Sequence, residues 1–135
     1  MGSRKRRRVT KLRFAAKLLF QYRVVLKGRS NRRRLCEERL ILVRASTAQD
    51  AYQSALKSGR SAQHHYKNQY GNPVHFELVG VLDLLQLGVE CGPDEVWYDT
   101  KYMLTPKERA KQILPPKRKL NAIYWATSNN RWRGP

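Results

Sequence analysis

Apolar and polar residues alternate strictly from Leu12 onward. Leu12, Phe14, Ala16, Leu18, Phe20, Tyr22, Val24 and Leu26 share one parity, and Arg13, Lys17, Gln21, Arg23 and Lys27 fall on the other. Period two marks a β-strand with one apolar and one wet face. Residues 12–26 would span roughly 50 Å, long for a small domain, so a bend or bulge is expected. Gly28-Arg29-Ser30-Asn31 supplies turn residues. Residues 35–45, centred on Leu40-Ile41-Leu42-Val43, read as a second strand that closes a hairpin on the first.

The period then changes. Ser46 or Thr47 caps a helix, and Thr47-Ala48-Gln49-Asp50 resembles a capping box with Asp50 in place of Glu. Ala48, Ala51, Tyr52, Ala55 and Leu56 mark its apolar face. Gly59 is expected to end or kink it, with His64, His65 and Tyr66 in a further turn or two. After the turn Gly71-Asn72-Pro73, alternation returns with Val74, Phe76, Leu78, Gly80, Leu82 and Leu84 on one side. A fourth strand is expected over about 95–103, with Val96, Tyr98 and Tyr102 inward. Thr105-Pro106-Lys107-Glu108 predicts a second helix, with Thr105 as N-cap, Pro106 at the first helical position and Glu108 reaching back. Pro115-Pro116 stops it. The expected fold is α+β: a four-stranded, mainly antiparallel sheet in ββαββ order with one main helix on one face. A basic disordered arm (1–13) precedes the globular part (14–105). A C-terminal helix (about 106–114) and a basic, aromatic tail follow within 106–135.

Composition fits one folded domain. The chain has 135 residues, 41% hydrophobic and 28% charged, enough to bury a core without staples. The net charge of +18 is exceptional, and 14 of those charges sit in residues 1–13 and 106–135. Such ends point to an anionic partner (nucleic acid, an anionic membrane surface or an acidic protein) or to simple solvation. Cys36 and Cys91 are too few for a disulfide scaffold and form no zinc motif, which fits reduced thiols in the cytoplasm. The most apolar stretch, 78–89, is short and broken by Asp83 and Gln86, so no membrane span is expected. Lys17, Gln21 and Arg23 interrupt any apolar signal-peptide core.

Four segments carry a family resemblance: Ala16-Lys17-Leu18-Leu19-Phe20, then 36–45 (Cys36 to Ala45), then Tyr66-Lys67-Asn68 with Gly71, then 74–84 (Val74 to Leu84). Glu95-Val96 continues the pattern. In their order and spacing, over about residues 14–102, the chain resembles the bacterial family described as domain of unknown function 4288. The resemblance implies a shared fold and transfers no activity. The basic ends lie outside it.

Few residues suggest chemistry. Glu37 and Glu38 are adjacent on a strand and point to opposite faces, so they cannot flank one substrate. One of them is expected to face inward and pair with an arginine. His64, His65 and His75 lack metal-site spacing, and no Gly-rich phosphate loop exists. No catalytic residue, cofactor or metal is expected. The candidate site is instead a nucleic-acid surface. Arg4, Lys5, Arg6, Arg7, Arg8, Lys11, Lys117, Arg118, Lys119, Arg131 and Arg133 would neutralise phosphates. Trp125 and Trp132 would stack on bases. The wet parity of the first strand, with Arg13, Lys17, Arg23 and Lys27, offers cations near phosphate spacing or simply a solvated face. The function is therefore expected to be non-enzymatic, sequence-independent association with nucleic acid. The alternative is an inhibitor- or immunity-type module that binds an acidic protein. An exposed edge strand would allow a dimer, though the sequence sets no oligomeric state.

Overall fold

The computed structural model describes residues 11–128. The first of two compact units ends at Tyr98, and the second begins at Asp99.

The first unit is an antiparallel sheet with a helix on one face. Its strands are β1 (Leu12–Leu26), β2 (Arg29–Ser30), β3 (Leu35–Ala45), β4 (His64–Lys67) and β5 (Pro73–Gln86), and its helix is α1 (Ala48–Ala62). β1 lies between β3 and β5, and β4 pairs with the far side of β5. The stub β2 closes the hairpin at the end of β1. Lys27 and Gly28 turn the chain there with φ of 49° and 75°, as a two-residue hairpin turn requires.

The alternation of β1 sets the core. Phe14, Ala16, Leu18, Phe20 and Tyr22 are buried together with Val43, Ala45, Val74 and Phe76. Phe20 and Phe76 stack at 4.7 Å between ring centroids, and Tyr22 tilts against Phe76 at 4.9 Å. α1 closes this face through Ala51, Ala55 and Gly59, a buried row spaced four residues apart. Its N-cap is Thr47, whose hydroxyl accepts from the Asp50 N–H at 3.1 Å.

The main strands and α1 follow the expected ββαββ order, and the strand expected over 74–84 forms as β5, but its partner is His64–Lys67 and not the segment 95–103. His64–Lys67 is a strand, not further helix. Gln63 takes an extended conformation at the end of α1. The exposed His64 ring then sits 5.0 Å from the Phe76 ring, tilted against it. Residues 95–103 form no strand. Val96, Tyr98 and Tyr102, expected to face inward, are exposed, and Trp97 lies with its ring centroid 5.6 Å from the Lys17 ammonium. Gly59 does not end α1, which runs on to Ala62. It lies inside the helix because the Leu78 side chain occupies the space a Cβ would need.

The irregularity expected in β1 resides in its partner. β5 carries two register shifts, opposite Lys17/Leu18 and Leu19/Phe20, which leave Leu82 and Val79 without a partner on β1. Each bulge inverts the side-chain parity. The inward set is therefore Val74, Phe76, Leu78, Val81 and Leu84, whereas alternation alone selects Gly80 and Leu82.

In the second unit the expected helix over 106–114 shrinks to α2 (Ala110–Ile113). Thr105 has φ 35°. A capping side chain needs extended backbone at that position, so the capping box does not form. Pro115-Pro116 follows, then a 3-10 turn (Lys117–Lys119) and α3 (Asn121–Ser128).

Candidate nucleic-acid interface

The second unit carries the described part of the basic tail. Pro116 starts the 3-10 turn, and its carbonyl accepts from the Lys119 N–H at 2.9 Å. The Leu120 carbonyl accepts from the Tyr124 N–H at 2.8 Å, which joins the turn to α3. Three consecutive cations thus stand on one short turn beside a helix that bears two aromatic residues. Lys117, Arg118 and Lys119 are exposed, and none forms an ion pair with a described residue. Tyr124 is 47% exposed and Trp125 37%. Lys11 is exposed just ahead of β1. Arg4, Lys5, Arg6, Arg7, Arg8, Arg131, Trp132 and Arg133 lie outside the described residues.

The wet face of β1 is not an open row of cations. Arg23 is clasped to Glu77 on β5 by two hydrogen bonds, from Nε at 2.8 Å and from Nη2 at 3.1 Å. Gln21 donates to the same carboxylate at 3.1 Å, and Arg34 donates to the Gln21 carbonyl at 3.0 Å. The Arg23 hydrogen bonds hold the Glu77 carboxyl below its ordinary pKa, and they raise that of Arg23. Lys17 faces Asp83 across the strands and lies over Trp97. Two of the four basic residues on this parity are thus engaged by neighbouring side chains.

On the helix side Glu37 pairs with Arg39 at 2.6 Å, which realises the inward carboxylate expected of the Glu37-Glu38 pair. The Arg39 guanidinium lies 4.9 Å and 5.4 Å from the Phe20 and Phe76 ring centroids. Burial, and then the Glu37 charge, push the Tyr22 phenol up. This cluster escapes motif reading. Its only signal is that Glu37, Arg39 and the inward residues of β1 share one strand face.

Gln63, His64, His65, His75, Phe76 and Glu77 line a polar hollow of about 220 Å³ beside β4. The His65 and His75 rings lie 5.9 Å apart. Among the described residues, no cluster of three or more His, Cys, Asp or Glu side chains is placed to hold a metal ion. Cys36 is exposed and Cys91 buried, and both are free thiols. No helix among the described residues is long and apolar enough to cross a membrane.

Comparison with protein families matches residues 13–94 to the "Domain of unknown function (DUF4288)". The chain belongs to the DUF4288 family. The match spans β1 to β5 and the segment just after them, so the DUF4288 domain is the sheet with its helix. Lys117, Arg118, Lys119 and Trp125 lie beyond the DUF4288 match. Neither a curated protein nor a solved structure matches the chain.

Proposed function

We propose that this DUF4288 protein is a non-enzymatic, cytoplasmic binding protein that associates with nucleic acid through its basic ends, without reading sequence. The segregation of charge carries this reading: residues 14–105 hold only 4 of the 18 net positive charges. The exposed Lys117-Arg118-Lys119 turn beside Tyr124 and Trp125 supports it. Cations of this kind bind phosphates by releasing counterions, and a neighbouring indole stacks on unpaired bases. The internal engagement of Arg23 and Lys17 directs the proposal to the ends and away from the sheet face.

The test is salt-dependent binding of single- and double-stranded DNA and RNA by the full chain. Replacing Lys117, Arg118 and Lys119 by Ala should reduce the log–log salt slope by about 0.7 to 0.9 for each phosphate that is no longer neutralised. Trp125→Ala should weaken single-strand binding by roughly 1–3 kcal/mol and leave duplex binding nearly unchanged. Absence of binding at moderate salt would remove the proposal. A partner retained from nuclease-treated lysate would replace it with an acidic protein.

A further inference from the structure

β3 is an edge strand of eleven residues. The direction of its backbone groups follows from two hydrogen bonds of β1. The Arg13 carbonyl accepts from the Leu87 N–H at 2.9 Å, on the β5 side, and the Val24 carbonyl accepts from the Asn31 N–H at 2.9 Å, on the β3 side. Successive residues of a strand point their polar groups to opposite sides, so the even residues of β1 turn toward β3. Their partners there are odd: Arg39 opposite Leu18, Ile41 opposite Ala16, Val43 opposite Phe14. Glu38, Leu40, Leu42 and Arg44 therefore aim their N–H and C=O groups away from the sheet, and no described residue pairs with them.

The side chains of these four residues are exposed on the face opposite α1. Leu40 and Leu42 border an apolar hollow of about 220 Å³ together with Ala15, Ile41 and Val96. Arg44 stands directly opposite Arg13, an unfavourable like-charge pair. Long edges are ordinarily cut short, given charges or a proline, or covered; this one has no proline and no described cover, and its exposed charges, Glu38 and Arg44, are of opposite sign.

We propose that β3 pairs antiparallel with β3 of a second copy, about a two-fold axis through Ile41. That register sets Leu40 against Leu42 and Glu38 against Arg44, and each pair occurs twice by symmetry. All four residues present outward backbone groups, so each pairing also closes two ladder hydrogen bonds. The partner's Glu38 arrives beside Arg44 and offsets its repulsion with Arg13. The neighbouring registers lose this match. Centring on Leu40 sets Glu38 against Leu42, and centring on Arg39 sets Arg34 against Arg44. The self-complementary order of acid, leucine, leucine and base identifies the occupant as this chain itself. The inference is independent of nucleic-acid binding.

The experiment uses the nuclease-treated full chain. Sedimentation equilibrium should give a mass approaching twice 15.8 kDa as concentration rises. Over the same range, the amides of Glu38, Leu40, Leu42 and Arg44 should gain protection from hydrogen exchange. Arg44→Glu or Glu38→Arg alone turns both ion pairs into repulsions and should raise the dimer dissociation constant roughly tenfold or more. The combined exchange Glu38→Arg/Arg44→Glu should bring it back to within a few fold. A monomer at every concentration overturns the proposal. So does a dimer in which the four amides exchange as in an open strand, a measurement on the unaltered protein. A dimer indifferent to both single reversals, or not restored by the double exchange, overturns the register through Ile41.

Discussion

Gly59→Ala pits helix propensity against packing, and the structure decides the sign. In an open helix interior, alanine in place of glycine gains about 0.8–1.0 kcal/mol. At Gly59 a Cβ would lie 2.8 Å from both δ-methyl carbons of Leu78 and 3.3 Å from its Cγ. Carbon atoms are at rest near 3.5–4.0 Å, so the isobutyl group must retreat by roughly 0.7 Å. Exchanging its two methyls by rotation offers no relief, because both are equally close. The Leu78 N–H is itself held by the Gln63 side chain at 2.9 Å, next to a bulge that already distorts the strand. Overpacking of this kind costs about 1–3 kcal/mol. The net expectation is a loss of about 1 kcal/mol, the difference between that cost and the helical gain. In a Leu78→Ala background the obstacle is gone, and the same substitution should stabilise by close to 1 kcal/mol. The assay is urea unfolding followed by circular dichroism, run as a double-mutant cycle. A coupling below about 0.5 kcal/mol would show that Leu78 swings clear at no cost and would refute the reasoning.

Two further expectations concern ionisable groups. Glu77 has its pKa lowered in the folded state by Arg23, so its stabilisation is complete above the unfolded carboxyl value and fades as pH falls through the folded one. Glu77→Gln should lower stability at neutral and alkaline pH, change little at acid pH where Glu77 is already protonated, and so flatten the acid limb of the profile; an unchanged acid limb would count against the clasp. Burial, followed by Glu95 and Glu90, raises the pKa of the Cys91 thiol, whereas Cys36 is exposed. A thiol reagent should modify Cys36 in the folded protein and reach Cys91 only on unfolding, as mass spectrometry of digests would read.

What the chain announces in advance are the features written in local periodicity. The apolar parity of β1 and the Thr47 cap each rest on a few neighbouring residues, and the structure forms both. Features that depend on partners were hidden. The two bulges of β5 arise where its thirteen residues 74–86 run alongside only eleven of β1, 14–24, a mismatch that alternation within β5 alone cannot reveal. β4 is four residues long and follows α1 with no turn residue between them, so nothing local separates it from more helix. Thr105-Pro106-Lys107-Glu108 has the composition of a capping box, yet the left-handed backbone at Thr105 prevents the bond the box depends on. The basic row on β1 was visible as composition, but its clasp to Glu77 requires knowing which strand lies alongside.

The two extra residues of β5 give the domain tolerance to changes in chain length. Val79 and Leu82 face no residue of β1, and both are about half exposed. Deleting either would remove a bulge and leave every remaining pair with β1 where it stands. An insertion or deletion elsewhere in a paired strand would shift all later side chains to the wrong face. Single-residue length variation among members of the family should therefore gather at these two positions. The same strand could be shortened there by one or two residues without moving Val81 or Leu84 out of the core.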